Sequence, residues 1–71
     1  MKIGNWVCTL DVEPKAKDWT PEALANRRFG VLGTIIAIHD SHGLCYDVLH
    51  QGSVGSYEPH ELQPLNVPVV R

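Results

Sequence analysis

The sequence predicts one small all-β domain in which five short strands curl into a barrel. With 71 residues the chain is long enough for a single hydrophobic core and no more. Its 44% apolar and 20% charged residues are typical of a globular protein and not of a disordered chain. Short runs rich in β-branched and aromatic residues alternate with turn-forming clusters of Gly, Pro, Asp and Ser. We therefore treat residues 1–71 as one domain.

The first strand is predicted over residues 3–10. The period of two places Trp6, Cys8 and Leu10 on one face and Val7 and Thr9 on the other. Because Trp6 has alternating apolar neighbours, we expect its side chain in the core.

A long first loop follows over residues 11–28 and carries a short helix. Thr20 is a helix-capping residue, Pro21 suits the first helical position, and Glu22 lies where the helix dipole favours an anion. A helix this short is unstable by itself. We expect Leu24 and Trp19 to anchor it on the strands.

The remaining strands are predicted over residues 31–39, 44–50, 54–57 and 62–67. Tight turns over residues 40–43 and 51–53 connect the second strand to the third and the third to the fourth. A single helical turn over residues 58–62 precedes the last strand. Pro64 and Pro68 restrict that strand to an edge of the sheet, because proline donates no ladder hydrogen bond.

This order of elements resembles the SH3-like small barrels, including the Tudor and KOW-type modules. The residues that carry the resemblance are Gly30–Ile36, Tyr46–Val48 and Tyr57–Leu65. It covers roughly residues 3–65 and implies a five-stranded SH3-like barrel. Glycines, β-branched pairs and a closing leucine are packing positions, so the resemblance implies a fold and no particular chemistry.

A more distant similarity links the chain to the plasmid-borne type II dihydrofolate reductases, short SH3-like chains that assemble as tetramers around a pore. Their pore motif reads Val-Gln-Ile-Tyr-Pro after a Gly-Ser pair. Here Gly52–Val54 and Tyr57 match, whereas Gly55 and Ser56 replace the Gln and Ile, and Glu58 precedes the proline. The similarity therefore implies shared architecture without shared catalysis.

Charge and apolar runs argue against two classes of partner. The formal net charge is −2 and the six basic residues are scattered, which disfavours nucleic acid. No apolar run approaches the roughly 18 residues that a membrane span needs, and Gly4-Asn5 interrupts any signal-peptide core. We expect a cytoplasmic protein with Cys8 and Cys45 as reduced core thiols. A disulfide between them is the alternative in an oxidising compartment.

No motif in the sequence identifies a catalytic site, and we predict no catalytic residue, cofactor or metal. The histidines and cysteines leave two alternatives open, a zinc site and a nucleophilic cysteine. His39 and His42 flank Asp40 and would suit zinc only with a second paired motif. Cys45 would need an exposed site and a base such as His42 or His50 to act as a nucleophile.

The other titratable residues are expected to have ordinary roles. His60 completes the set of four histidines, of which His39 and His42 are expected on a solvated turn. Two carboxylate pairs lie on loops, where charged residues are normally solvated: Asp11 with Glu13, and Glu58 with Glu61.

The aromatic residues give the strongest indication of a ligand site. Small barrels bind ligands with aromatic residues of the long loop and the hairpins, which here are Trp19, Tyr46 and Tyr57. With Glu58 as an acidic neighbour, such a cluster suits a cationic or proline-rich peptide. The alternative is that Trp19 closes one end of the barrel.

These observations predict a small binding or assembly module that acts through protein or small-ligand contacts. We expect a protein or peptide partner or a second copy of the chain, since Val67, Val69 and Val70 form an apolar tail after the last closing leucine. The alternative is an oligomeric enzyme with an interface active site, as in the reductases.

Overall fold

The structure is a computed structural model that describes residues 1–40 and 43–65. Its elements are β1 (Trp6–Thr9), α1 (Pro21–Ala25), β2 (Leu32–His39), β3 (Cys45–His50), β4 (Ser53–Tyr57), a 3₁₀ turn (Pro59–Glu61) and β5 (Leu62–Pro64). All strand pairs are antiparallel, and the order in the sheet is β4-β3-β2-β1-β5. Within the described ranges no helix has the length and apolar character that a membrane span requires.

The sheet is open, and the predicted closure into a barrel is wrong for the described part of the chain. β4 and β5 lie at opposite edges and do not pair with each other. β5 is only three residues long and ends at Pro64, which lacks the N–H that would extend the ladder. The five strands, the helix in the long first loop and the helical turn before the last strand are confirmed. The predicted extension of the last strand to residue 67, like the apolar segment after it, lies outside the described residues.

The inner face of the sheet forms the core, and β1 contributes Val7 and Thr9 to it. Both side chains are fully buried, whereas Trp6 is 46% exposed. The prediction that Trp6 belongs to the core is therefore wrong. Both faces of this strand are largely apolar, so alternation alone does not decide which face is buried. The pairing of the strands determines which face is buried. Val7 lies opposite Gly33, and the missing side chain at Gly33 lets neighbouring residues pack closely against this face.

The predicted helix start is confirmed in detail. The Thr20 hydroxyl accepts a hydrogen bond from the Ala23 N–H at 3.2 Å, and Pro21 occupies the first turn. Leu24, however, is 42% exposed and does not anchor the helix, which corrects our expectation. The chain after the helix is held instead by the Tyr57 hydroxyl, which accepts from the Arg28 N–H and donates to the Arg28 carbonyl at 2.6 and 2.9 Å.

The hairpin between β3 and β4 has the tight turn that the sequence predicts. Gln51 and Gly52 both have positive φ, at 49° and 79°. A two-residue hairpin turn with positive φ at both positions has a twist that matches its flanking strands. Glycine adopts a positive φ without strain. This turn sets the β3–β4 register, in which Val48 lies opposite Gly55 on the inner face.

The core is small. Its buried apolar residues are Val7, Ile35, Tyr46, Val48, Tyr57 and Leu62. Each of them comes from a strand, and four come from the two central strands β2 and β3 and their neighbour β4. Truncating one central side chain therefore removes a large fraction of the apolar contacts.

We predict that Val48→Ala lowers the free energy of unfolding by about 2 kcal/mol, because two buried methyl groups are lost and a cavity remains. Val12→Ala is the matched control, since Val12 is 41% exposed while Val48 is fully buried. Urea denaturation followed by circular dichroism measures both. Equal losses for the two variants would contradict the assignment of the inner face.

Candidate ligand-binding site

A buried ion pair joins the loop after α1 to the 3₁₀ turn. The guanidinium of Arg27 pairs with the carboxylate of Glu61, and both side chains are almost completely buried. The guanidinium carbon also lies over three aromatic rings, at 5.1 Å from Trp19, 5.3 Å from Phe29 and 5.0 Å from Tyr57. The carboxylate and the ring faces together compensate for the loss of water around this cation.

Glu58 fixes the long first loop to the end of β4. Its carboxylate accepts hydrogen bonds from the N–H groups of Lys15 and Ala16, at 2.7 and 3.0 Å. It also accepts one from the Trp19 indole N–H at 3.0 Å. A charged acceptor with three donors is a strong anchor, so the loop and the indole ring are held in one arrangement.

The expectation that Glu58 and Glu61 are solvated is wrong, since both are buried. The reason is a capping box, in which a Glu61 carboxylate oxygen accepts from the Glu58 N–H at 2.7 Å. The spacing Glu-Pro-x-Glu signals such a box in the sequence, and Pro59 at the first position of the turn strengthens that signal.

The Glu58 carboxyl has a perturbed pKa. Burial by itself would raise the pKa, but the hydrogen bonds from Trp19, Lys15 and Ala16 and the nearby His60 ring outweigh it and hold the pKa below its usual range. The His60 ring nitrogen lies 3.6 Å from a Glu58 oxygen. Glu58 is therefore an ionised anchor whose acceptor oxygens are used within the fold.

A cavity of about 570 Å³ opens beside Trp19 and Glu58. Three parts of the chain line it: the first loop with α1 (Lys15, Ala16, Asp18, Trp19, Thr20, Ala23), the start of β3 (Gly43, Leu44, Cys45) and the turn after β4 (Glu58, Pro59, His60). Its volume is in the range of small-ligand and peptide side-chain sites.

Of the four residues predicted to bind a ligand, the cavity brings together Trp19 and Glu58. Tyr46 and Tyr57 lie instead in the core, at 5% and 0% exposure. Burial raises the pKa of the Tyr57 hydroxyl, although its hydrogen bond from Arg28 and the two neighbouring arginines oppose that shift. Sequence reasoning missed Leu44, Pro59 and His60, which reach the cavity only through the packing of the first loop on the 3₁₀ turn.

The histidines have separate environments. His39 contacts Asp47 at 2.8 Å at the surface, His50 is buried against the Tyr57 hydroxyl at 2.6 Å, and His60 bonds the Glu13 carbonyl at 2.8 Å. His42 lies outside the described residues. Among residues 1–40 and 43–65 no group of three or more His, Cys, Asp or Glu side chains is arranged to hold a metal ion.

Cys8 and Cys45 are free thiols, and both are half-buried. Burial raises the pKa of the Cys45 thiol, and the carboxylates of Glu58, Glu61 and Asp47 raise it further. Cys45 is therefore protonated at neutral pH, which is the opposite of what a nucleophilic thiolate requires.

Position 55, where the reductase motif carries its pore glutamine, has no space for a side chain. A Cβ at Gly55 would lie 2.9 Å from the Asn26 carbonyl oxygen and 3.1 Å from a ring nitrogen of His50. The next residue, Ser56, donates its hydroxyl to Asp47 at 2.7 Å. A side chain at position 55 would therefore require the surrounding atoms to move, and the Ser56 hydroxyl is used within the fold.

We predict that Glu58→Gln lowers the free energy of unfolding by about 2–3 kcal/mol at neutral pH, because three donors lose a charged acceptor. The folded-state pKa of Glu58 lies below its usual value of 4.5. The stabilisation is thus complete above pH 4.5 and is lost as the pH falls towards the folded-state pKa. As the pH falls through this range, thermal unfolding should show a smaller loss of stability in Glu58→Gln than in the wild type. Glu22→Gln on α1 is the control, and an unchanged acid profile in Glu58→Gln would contradict the prediction.

We predict that Arg27→Met costs about 3–5 kcal/mol of stability, because it leaves the Glu61 carboxylate buried without a cation. Arg28→Met is the control, since the neighbouring arginine is exposed. Urea denaturation of both variants measures the difference. A similar stability for the two variants would show that the buried pair is dispensable.

Comparisons of the chain with protein-family models, with curated proteins and with solved structures found no match. The resemblances to SH3-like modules and to the reductases therefore remain expectations from the sequence.

Proposed function

We propose that the chain is a small binding module that takes an apolar, proline-rich peptide in the cavity beside Trp19. The observation that carries this proposal is a cavity of about 570 Å³ lined by an immobilised tryptophan. The order of strands and loops supports an SH3-like relationship as part of the proposal, and closure of the sheet is not part of it.

A fixed indole favours binding, because little side-chain freedom remains to be lost when a ligand arrives. Trp19 is held at its N–H by Glu58 and contacts the guanidinium of Arg27. Leu44 and Pro59 add apolar surface to the same cavity. An extended proline-rich segment suits such a surface, since its conformation is already formed before binding.

A cationic peptide suits the site less well. Arg27 already lies over one face of the Trp19 ring, at 5.1 Å from its centre, and its positive charge opposes a second cation on the other face. The Glu58 oxygens accept three hydrogen bonds within the fold. The other charged residues of the lining, Lys15 and Asp18, are opposite in sign, so with Glu58 satisfied within the fold the cavity favours a ligand without net charge.

The reductase alternative gains no favourable observation from the described residues. Its pore glutamine would correspond to Gly55, and a side chain there would collide with the Asn26 carbonyl. We therefore base the proposed function on the cavity alone.

Fluorine NMR of the chain labelled with fluorotryptophan tests the proposal, because each of the two tryptophans gives its own signal. A peptide of ten prolines is the probe, and a Gly-Ser peptide of equal length is the control. We expect the Trp19 signal to shift with the proline peptide and to remain unchanged with the Gly-Ser peptide. The variant Trp6→Phe assigns the two signals.

Leu44→Ser should weaken this binding several-fold, because it removes apolar surface from the cavity. Leu24→Ser is the matched control, since Leu24 is as exposed as Leu44, at 42% and 40%, and does not line the cavity. Circular dichroism confirms that both variants are folded. The proposal is wrong if millimolar proline peptide leaves the Trp19 signal unchanged, or if an arginine-rich peptide binds more tightly.

A further inference from the structure

The outer face of the sheet carries a row of side chains that crosses four strands. Register pairs Trp6 with Thr34, Thr34 with Leu49, and Leu49 with Val54. Because directly opposed residues of antiparallel strands project to the same face, these four residues form one line, which we name the outer row.

Three of the four side chains of the outer row are apolar, and none of them is covered by another part of the chain that the structure describes. Trp6, Leu49 and Val54 are 46%, 45% and 41% exposed, and Leu32 beside them is 54% exposed. The described part of the chain has thirteen exposed large hydrophobic residues and only six buried ones. A chain of this size is marginally stable by itself, and burial of such a face against a partner would add to its stability.

We propose that the outer row is the interface of a homodimer in which two copies of this chain pack sheet against sheet. The proposal goes beyond the peptide site, because the row and the cavity share no residue.

The size of the face fits a second copy. The apolar side chains of Trp6, Leu32, Leu49 and Val54 are each about half exposed and contribute on the order of 300–400 Å², which is the size of the largest apolar patch on a typical monomer. Even with the neighbouring Cys8, Gln63 and Ser56, the face stays below the roughly 800 Å² per partner of a standard interface, which fits a weak dimer. The 4896 Å² total surface of the described chain is ample for such an area.

The charges also fit a second copy. The outer row contains no ionisable side chain, so two copies meet without repulsion. Farther along the same face, His39 and Asp47 contact each other at 2.8 Å and so pair within one chain. No lysine or arginine occurs in β1–β5, which argues against a nucleic acid or an anionic membrane as the occupant of this face.

The row is complementary to itself in shape. A two-fold axis between the two sheets, parallel to the strands, reverses the order of the row in the second copy. Trp6 of each copy then lies over Val54 of the other, and Leu49 lies over Thr34. Each large side chain thus meets a smaller one, which is the arrangement that close sheet packing requires.

Sedimentation equilibrium of the full chain tests the proposal. We expect the average mass to rise from that of one chain to that of two as the concentration increases into the millimolar range. Leu49→Lys should shift this transition to at least ten-fold higher concentration, a change of about 1.4 kcal/mol in association. Leu24→Lys is the matched control on α1, with 42% exposure against 45% for Leu49, and should dimerise as the wild type does.

A second measurement uses the unaltered sequence and therefore does not depend on how the variants fold. In the fluorotryptophan-labelled chain the Trp6 signal should shift on dilution, because the indole leaves the interface, while the Trp19 signal stays constant. A mass of one chain at all concentrations overturns the proposal, as does a Trp6 signal that does not respond to dilution. Both outcomes are independent of whether the proline peptide binds.

Discussion

The fold depends on how a single buried cation is accommodated. Arg27 lies between an ion-pair partner on the 3₁₀ turn and three aromatic rings from different parts of the chain. A small apolar core could not tolerate this charge without compensation. The compensation requires Glu61 to point inward, which in turn orients the backbone of Glu58 through the capping box. The first loop, α1 and the 3₁₀ turn are therefore joined by one set of polar contacts around Arg27.

Two residues of this set of contacts, Trp19 and Glu58, also line the cavity. The oxygens of Glu58 are used to hold the first loop, and the face of Trp19 is shared with Arg27. The cavity beside these residues is mostly apolar. The polar contacts that frame it are long-range and mutually dependent, and they hold this part of the fold together without a large core.

Local patterns in the sequence predicted the elements well and the burial of particular side chains less well. The capped helix start at Thr20 and the turn at Gln51-Gly52 depend only on neighbouring residues, so the sequence alone predicts them. The burial of Trp6 is not predictable from local sequence, because both faces of β1 carry apolar residues. Which face is buried depends on the glycine opposite Val7. The chemistry of Trp19 and Glu58 marks them as candidates in the sequence, and both line the cavity, whereas Leu44 and Pro59 reach it only through tertiary packing. Closure of the sheet is likewise a property of distant edges that no local pattern reports.

The hydrogen bonds between Glu58 and the first loop affect the order in which parts of the chain fold. Its partners Lys15, Ala16 and Trp19 precede it by 43, 42 and 39 residues, and Arg27 precedes Glu61 by 34. Contacts this distant in a short chain close large loops and slow the search for the native state. On the ribosome the hairpin of β2 and β3 can form while the first loop still lacks its acceptor. The first loop can therefore be fixed only after residues 58–61 have left the exit tunnel, whereas β1 can already pair with β2.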